Sequence, residues 1–195
     1  MGISERAALL VVDVQRGFAD AEFWGRRNQP EAEGNIEALL DRWQETGRPV
    51  VFVRHDSREP GSPLRAESAG NALRGFVERR RGRGSGAELL VTKSVNSAFL
   101  GTPDLDRWLR EVGVDQCVVV GVQTNMCVET TARMAGNLGY EVWVPLDATY
   151  TFDLEGPWGW RLTAEELARG TAVSLHGGGF ARVVRTSEVL AAVGG

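Results

Sequence analysis

The strongest constraint on how this chain folds is a run of six apolar residues, Ala7-Ala8-Leu9-Leu10-Val11-Val12. It offers no polar position for a solvent-facing side. A strand of this kind needs cover on both faces, which is the condition of a central strand in a parallel sheet. Further apolar runs repeat the signal at residues 50–53, 88–93, 116–120, 141–146 and 180–184. Between them the period changes to that of helices. Over residues 31–46, Ile36, Leu39, Leu40 and Trp43 fall on one face, and Gly47 and Pro49 supply the stop. Thr102-Pro103-Asp104 reads as a helix start with a hydroxyl N-cap, proline at the first helical position and an acidic first turn. Leu105, Trp108, Leu109 and Val112 then form the apolar face, and Gly113 closes it. Thr163-Ala164-Glu165-Glu166 reads as a capping box, with Leu162 and Leu167 spaced as a hydrophobic staple and glycines 177–179 as the end. A short helix is expected over 186–192. Strands alternating with helices over 195 residues predict a single domain, 1–195, of three-layer α/β/α architecture. Its sheet is Rossmann-like, with about six parallel strands joined by right-handed crossovers.

Composition narrows the function. Hydrophobic residues make up 43% and charged residues 25%, the profile of an ordinary soluble domain. The net charge of -4 argues against nucleic acid as the main partner. The basic run Arg79-Arg80-Arg81-Gly82-Arg83 lacks interleaved aromatics, so a solvated loop or subunit contact suits it better. No apolar segment approaches the ~20 residues of a membrane span. Two cysteines make no disulfide framework, and residues 1–6 lead straight into a strand with no apolar signal region, so a cytoplasmic location is expected. With only His55 and His176 in the chain, a site built from several histidine ligands cannot be assembled, and neither a metal nor another cofactor is expected.

Three strands end on residues with chemical potential. Asp13 follows the first, Lys93 closes the third and Cys127 lies just beyond the fourth, in Gly121-Val122-Gln123-Thr124-Asn125-Met126-Cys127-Val128. In open α/β sheets ligands gather at the carboxyl edge, where all three would lie. Cys127 would occupy the first turn of a helix, where unpaired N–H groups and the helix dipole favour a thiolate and lower a cysteine pKa. Each residue also has an ordinary reading. Asp13 suits a turn cap, Lys93 can extend its ammonium to solvent, and Cys127 can be a small apolar filler, as Cys117 is expected to be. His55 and Asp56 follow the second strand, with side chains directed to opposite sides. The loops 14–30, 57–88 and 148–162 carry aromatic or polar candidates for a pocket or lid.

Asp13 in Val12-Asp13-Val14-Gln15, Lys93 ahead of Ser97-Ala98-Phe99, and the 121–128 turn together resemble the three signatures of the isochorismatase-like cysteine hydrolases. The resemblance runs from Leu9 to about Thr186 and includes Asp147-Ala148 and Ser174-Leu175-His176-Gly177. It implies a catalytic triad in which Asp13 is the general base, Lys93 the cation and Cys127 the nucleophile. It also implies a cis peptide at Val122–Gln123, with the Gln123 and Cys127 N–H groups forming an oxyanion hole. The implied function is metal-free hydrolysis of a C–N bond in a small amide, lactam or ureido compound through a Cys127 thioester. Vinyl-ether hydrolysis of the isochorismatase type and an idle binding module of the same fold are the alternatives. Substrate-binding candidates are Gln15, Phe18, Trp24, His55, Asn96, Phe99, Thr124 and Trp158. Nicotinamidases of this family place an aspartate and several histidines after the second strand to hold a metal. The corresponding stretch here, from Arg54 to Leu64, has one histidine. The partners expected are a small-molecule substrate and further copies of the chain, as a homo-oligomer (dimer or tetramer), with neither nucleic acid nor membrane.

Overall fold

The computed structural model describes residues 2–193. Strand β1 (Ala7–Val12) leads through a one-turn helix α1 (Ala21–Trp24) to α2 (Ala32–Glu45) and β2 (Val50–His55). A long connection with a second one-turn helix, α3 (Gly75–Glu78), reaches β3 (Glu88–Lys93), α4 (Leu105–Val112) and β4 (Gln116–Val122). A π-helical turn over Thr124–Val128 opens α5 (Glu129–Asn137), followed by β5 (Glu141–Pro145) and β6 (Thr149–Tyr150). The hairpin β7 (Leu154–Glu155) and β8 (Arg161–Leu162) precedes α6 (Ala164–Gly177), β9 (Arg182–Val184) and α7 (Thr186–Val193).

The main sheet runs β3-β2-β1-β4-β5-β9 with every pairing parallel, and β6 adds to the end of β4. β1 is central and buried on both sides, as a strand without polar residues requires. Its side chains divide by the two-residue period of a strand. Ala8, Leu10 and Val12 enter a core with Leu105 and Leu109 of α4, Ala132 and Ala135 of α5 and Leu175 of α6. Ala7, Leu9 and Val11 enter the opposite core with Ile36, Leu39, Leu40 and Trp43 of α2 and Val189 and Val193 of α7. The expected three layers follow from that division. Trp43 is fully buried, and its indole N–H donates to the Ala7 carbonyl at 2.9 Å, so its one polar atom is satisfied inside the core.

Several local expectations are corrected. Helix α4 is capped by Asp104, whose side chain accepts from the Arg107 N–H, and not by Thr102. Thr102 is drawn into an extended bridge with Thr92, through two reciprocal backbone bonds of 2.9 Å, and the Thr102–Pro103 bond is cis. The helix therefore begins two residues later than the Thr-Pro signal indicates. The 148–162 stretch is not irregular: it supplies β6 and the β7–β8 hairpin. The capping box at Thr163 and Glu166 is present as expected. In the basic run, Arg80 pairs with Glu37 at 2.7 Å and Asp41 at 2.6 Å, and Arg81 pairs with Glu78 at 3.1 Å. Among the described residues, no helix is long and apolar enough to cross a membrane.

Candidate active site

The parallel register brings the three strand ends together. Val12 lies opposite Val53 on one side and Gly121 on the other, and His55 lies opposite Lys93. A Cβ on Gly121 would sit 2.0 Å from the Val12 carbonyl oxygen, and its φ is +122°, so glycine is what lets β4 approach β1 here. Asp13 turns the chain out of the sheet with φ +53°, a left-handed conformation that aspartate tolerates better than most residues. Its N–H donates to Val53 O at 3.0 Å, and its carbonyl accepts from Gln15 N–H at 2.8 Å.

Lys93 is the hub of the site. Its Nζ lies 2.6 Å from Asp13 Oδ2, 3.0 Å from His55 Nδ1 and 3.3 Å from Cys127 Sγ. The side chains of Asp13 and Lys93 are wholly buried. Burial alone would lower the Lys93 pKa, but the Asp13 carboxylate and the Cys127 sulfur outweigh it and hold the ammonium above its ordinary value. The other Asp13 oxygen, Oδ1, is buried with no hydrogen-bond partner. A buried acceptor left unpaired is costly.

Cys127 rides on the π turn. Both Met126 N–H and Val128 N–H donate to Gln123 O, at 3.1 and 3.2 Å, leaving the intervening Cys127 N–H out of that pair. The Val122–Gln123 peptide is cis. Thr124 is buried below, its hydroxyl donating to Thr149 Oγ1 at 2.9 Å, and Thr149 donates on to Leu146 O. The expected depression of the thiol pKa is reversed. Burial pushes Cys127 up, the Asp13 carboxylate adds to this, and Lys93 pulls in the opposite direction without overcoming them. The sulfur therefore rests as a thiol. Cys117, fully buried in β4, is likewise pushed up, by burial first.

The remaining candidates separate into two groups. Asn96 is exposed and its Oδ1 lies 3.9 Å from Cys127 Sγ, so it borders the sulfur on the solvent side. His55 touches Lys93 as described. Phe18 and Trp24, with Phe152 and Tyr150, form an aromatic cluster that includes Val122, the residue before the cis bond. Gln15, expected at the substrate, is fully buried. Its amide donates to His55 O at 3.0 Å and Asn71 O at 2.8 Å, and its oxygen accepts from His55 N–H at 2.9 Å. It straps the ends of β1 and β2 together. Phe99 faces the core and stacks on Tyr140 at 6.1 Å. Trp158 is 83% exposed at the hairpin tip, where it meets Trp160. A broad apolar concavity lined by Leu154, Pro157, Trp160 and Leu162 lies beside that hairpin and includes none of the three strand-end residues.

Asn71 had no signal in the sequence. It donates to His55 O, Asp56 Oδ1 and Leu64 O at 2.9–3.1 Å, tying the loop after β2 to the site. Thr151 was also unmarked; its hydroxyl donates to Asn125 Oδ1 beside the turn.

Metal-capable atoms of Asp13, His55 and Cys127 do lie within 4.8 Å of one another. Lys93 Nζ already stands in bonding distance of all three, so the place a cation would take is filled by the ammonium. Asp56, just after β2, is held by Arg54 at 3.2 Å and by Asn71. These residues do not fit a resident metal ion.

The isochorismatase domain family matches residues 7–174. An isochorismatase-family protein of Bacillus subtilis (strain 168), YrdC, is 34% identical over 188 residues, covering 96% of each chain. Nicotinamidase 3 of Arabidopsis thaliana is 32% identical over 160 residues, 78% of this chain and 77% of that protein. A streptothricin hydrolase of Streptomyces noursei is 35% identical over 150 residues, 75% of this chain but 55% of its own length. A crystal structure of an isochorismatase-family protein from Chromobacterium violaceum ATCC 12472 superposes with a TM-score of 0.88 at 40% identity, covering 98% of this chain and 95% of that one.

Proposed function

The chain belongs to the isochorismatase family of hydrolases, and from that premise we propose that it cleaves a C–N bond of a small amide, lactam or ureido compound through a thioester on Cys127. The observation that carries this reading is the ammonium of Lys93 bridging a buried carboxylate and a thiol, with a carboxylate oxygen of Asp13 within 4.8 Å of the sulfur. A thiol with a buried carboxylate beside it is a nucleophile with its base in place.

Asp13 takes the Cys127 proton as sulfur adds to the carbonyl carbon. Lys93 keeps the ammonium beside both anions throughout. The carbonyl oxygen becomes an oxyanion, to which we assign the Gln123 and Cys127 N–H groups as donors, each worth roughly 3 kcal/mol in comparable sites. The tetrahedral species collapses with cleavage of the C–N bond, and the departing amine or ammonia takes the proton from Asp13. Water then adds to the thioester with Asp13 again as base, the C–S bond breaks, and the thiol is restored with release of an acid. The names of the nicotinamidase and streptothricin hydrolase relatives support a nitrogen-containing small molecule as substrate.

We further propose a homo-oligomer. The exposed Trp158 and Trp160 beside an apolar concavity support a subunit contact there, which light scattering of the purified protein tests directly.

Release of ammonia or amine from a panel of carboxamides, lactams and ureido compounds tests the chemistry. Activity on at least one compound class, abolished by Cys127→Ala, supports it. Activity retained by Cys127→Ala, with a vinyl ether as the substrate turned over, overturns it.

A further inference from the structure

We propose that His55 is a positioning residue: as a neutral imidazole it accepts at Nδ1 the third N–H of Lys93 and so fixes the ammonium between Asp13 and Cys127. The inference rests on the reading that Lys93 acts at Cys127. A lysine ammonium has three donors and no acceptor. Here each donor has its own acceptor, at 2.6 Å on Asp13 Oδ2, 3.0 Å on His55 Nδ1 and 3.3 Å on Cys127 Sγ. With all three occupied, the ammonium has no free N–H with which to turn toward substrate or water.

The protein holds the histidine as deliberately as the lysine. His55 and Lys93 are register partners on parallel strands, so they stand side by side at the sheet edge. The His55 N–H donates to Gln15 Oε1 at 2.9 Å, and the His55 carbonyl accepts from Gln15 Nε2 at 3.0 Å and Asn71 Nδ2 at 3.1 Å. A fully buried glutamine thus spends both ends of its amide on this one backbone unit. Two cationic side chains in this position would repel each other, so the arrangement is stable only with an uncharged imidazole.

The groups facing the ring are Lys93 from β3, Asp13 from the end of β1, Asp56 from its own loop and Cys127 from the π turn. Burial and the Lys93 charge push the His55 pKa down, against the smaller pull of Asp13 and Asp56. Because an ammonium can only donate, the contact with Lys93 Nζ requires an unprotonated Nδ1 and so a neutral ring. With Nδ1 accepting, its proton lies on Nε2. Acidification that protonates Nδ1 removes the acceptor and places a second cation beside Lys93.

The test needs no substrate, so its outcome is separable from the failure of the hydrolase reading. Long-range 1H–15N spectra of the intact protein report the tautomer, with His176→Gln assigning the two histidines. The rate of Cys127 alkylation by iodoacetamide, read by mass spectrometry, is compared for wild type, His55→Asn and His55→Leu. The asparagine oxygen can replace Nδ1 as acceptor, whereas leucine removes it. Expected are a neutral Nε2–H tautomer at pH 7, alkylation by His55→Asn close to wild type, and a loss of about tenfold in His55→Leu as the ammonium leaves the sulfur. Thermal denaturation confirms that both variants fold. A ring protonated on Nδ1 at pH 7, or folded Leu and Asn variants that react alike, overturns the proposal. If no amide is ever turned over but the tautomer and the Asn rescue are found, the hydrolase reading fails and the role of His55 stands.

Discussion

Replacing Asp13 by asparagine should move two properties of the site in opposite directions. Asparagine is isosteric and also tolerates the φ of +53° at this position, so the backbone is retained. The Asp13 carboxylate lies within 4.8 Å of Cys127 Sγ and opposes its ionisation. With an effective dielectric of about 20, two like charges at that separation repel by roughly 3.5 kcal/mol, or about 2.5 pKa units. Removing the carboxylate should lower the thiol pKa by about that much and raise the thiolate fraction at pH 7 by roughly two orders of magnitude. A less basic thiolate is also a weaker nucleophile, with a Brønsted slope of about 0.5, which removes about half of the logarithmic gain. Iodoacetamide should therefore alkylate Cys127 about tenfold faster in Asp13→Asn than in wild type. Cys117, buried and with its thiol pushed up, serves as the silent internal control on the same peptide map. On the proposed mechanism, turnover of any amide substrate should fall by about 10²–10⁴, because Asp13 is its general base. Alkylation that is unchanged or slower in the variant would refute the electrostatic account of the site.

Further expectations follow from the same geometry. Lys93→Met should slow Cys127 alkylation and lower stability by about 3–5 kcal/mol in chemical denaturation, because it strands the buried Asp13 carboxylate. Gly121→Ala should cost at least about 3 kcal/mol in the same assay, since the added Cβ meets the Val12 backbone and no side-chain movement relieves it. Alkaline pH should destabilise the protein. Cys117, Cys127 and Lys93 all hold their protons more tightly when folded, so their contribution is intact below the unfolded values of 9.0 and 10.5 and is lost as pH rises above them. On the acid side the sign reverses for His55. Its folded pKa lies below the ordinary 6.5, so its contribution is present above that value and is lost as pH falls through it, a loss that His55→Asn should remove.

Much of the site can be read from the chain because parallel topology is restrictive. Strands of one sheet running in one direction bring their carboxyl ends to one edge, and Asp13, Lys93 and Cys127 stand at three such ends. Their mutual distances follow from register, which sequence period alone does not specify. Other features depend on contacts across long separations. Thr102 looked like a helix cap because its pairing with Thr92 is invisible to a local pattern. Gln15 looked like a ligand-facing amide because its partners, His55 and Asn71, lie 40 and 56 residues away. The direction of the Cys127 shift is hidden from sequence for a related reason. A helix N-terminus favours a thiolate, but burial and a carboxylate a few ångströms away oppose it, and both arise from contacts across long separations. Trp158 and Trp160 share an aromatic-rich loop with Phe152, yet Phe152 is buried and the two tryptophans are exposed.

The most direct measurement is the intact mass of the protein, quenched in acid within its first turnovers of an amide substrate found in the panel. The account predicts a mass increase equal to the acyl part of the substrate, located on the peptide containing Cys127 and absent from Cys127→Ala. Turnover by the wild-type protein with no such adduct at any quench time, and with activity surviving in Cys127→Ala, would contradict it.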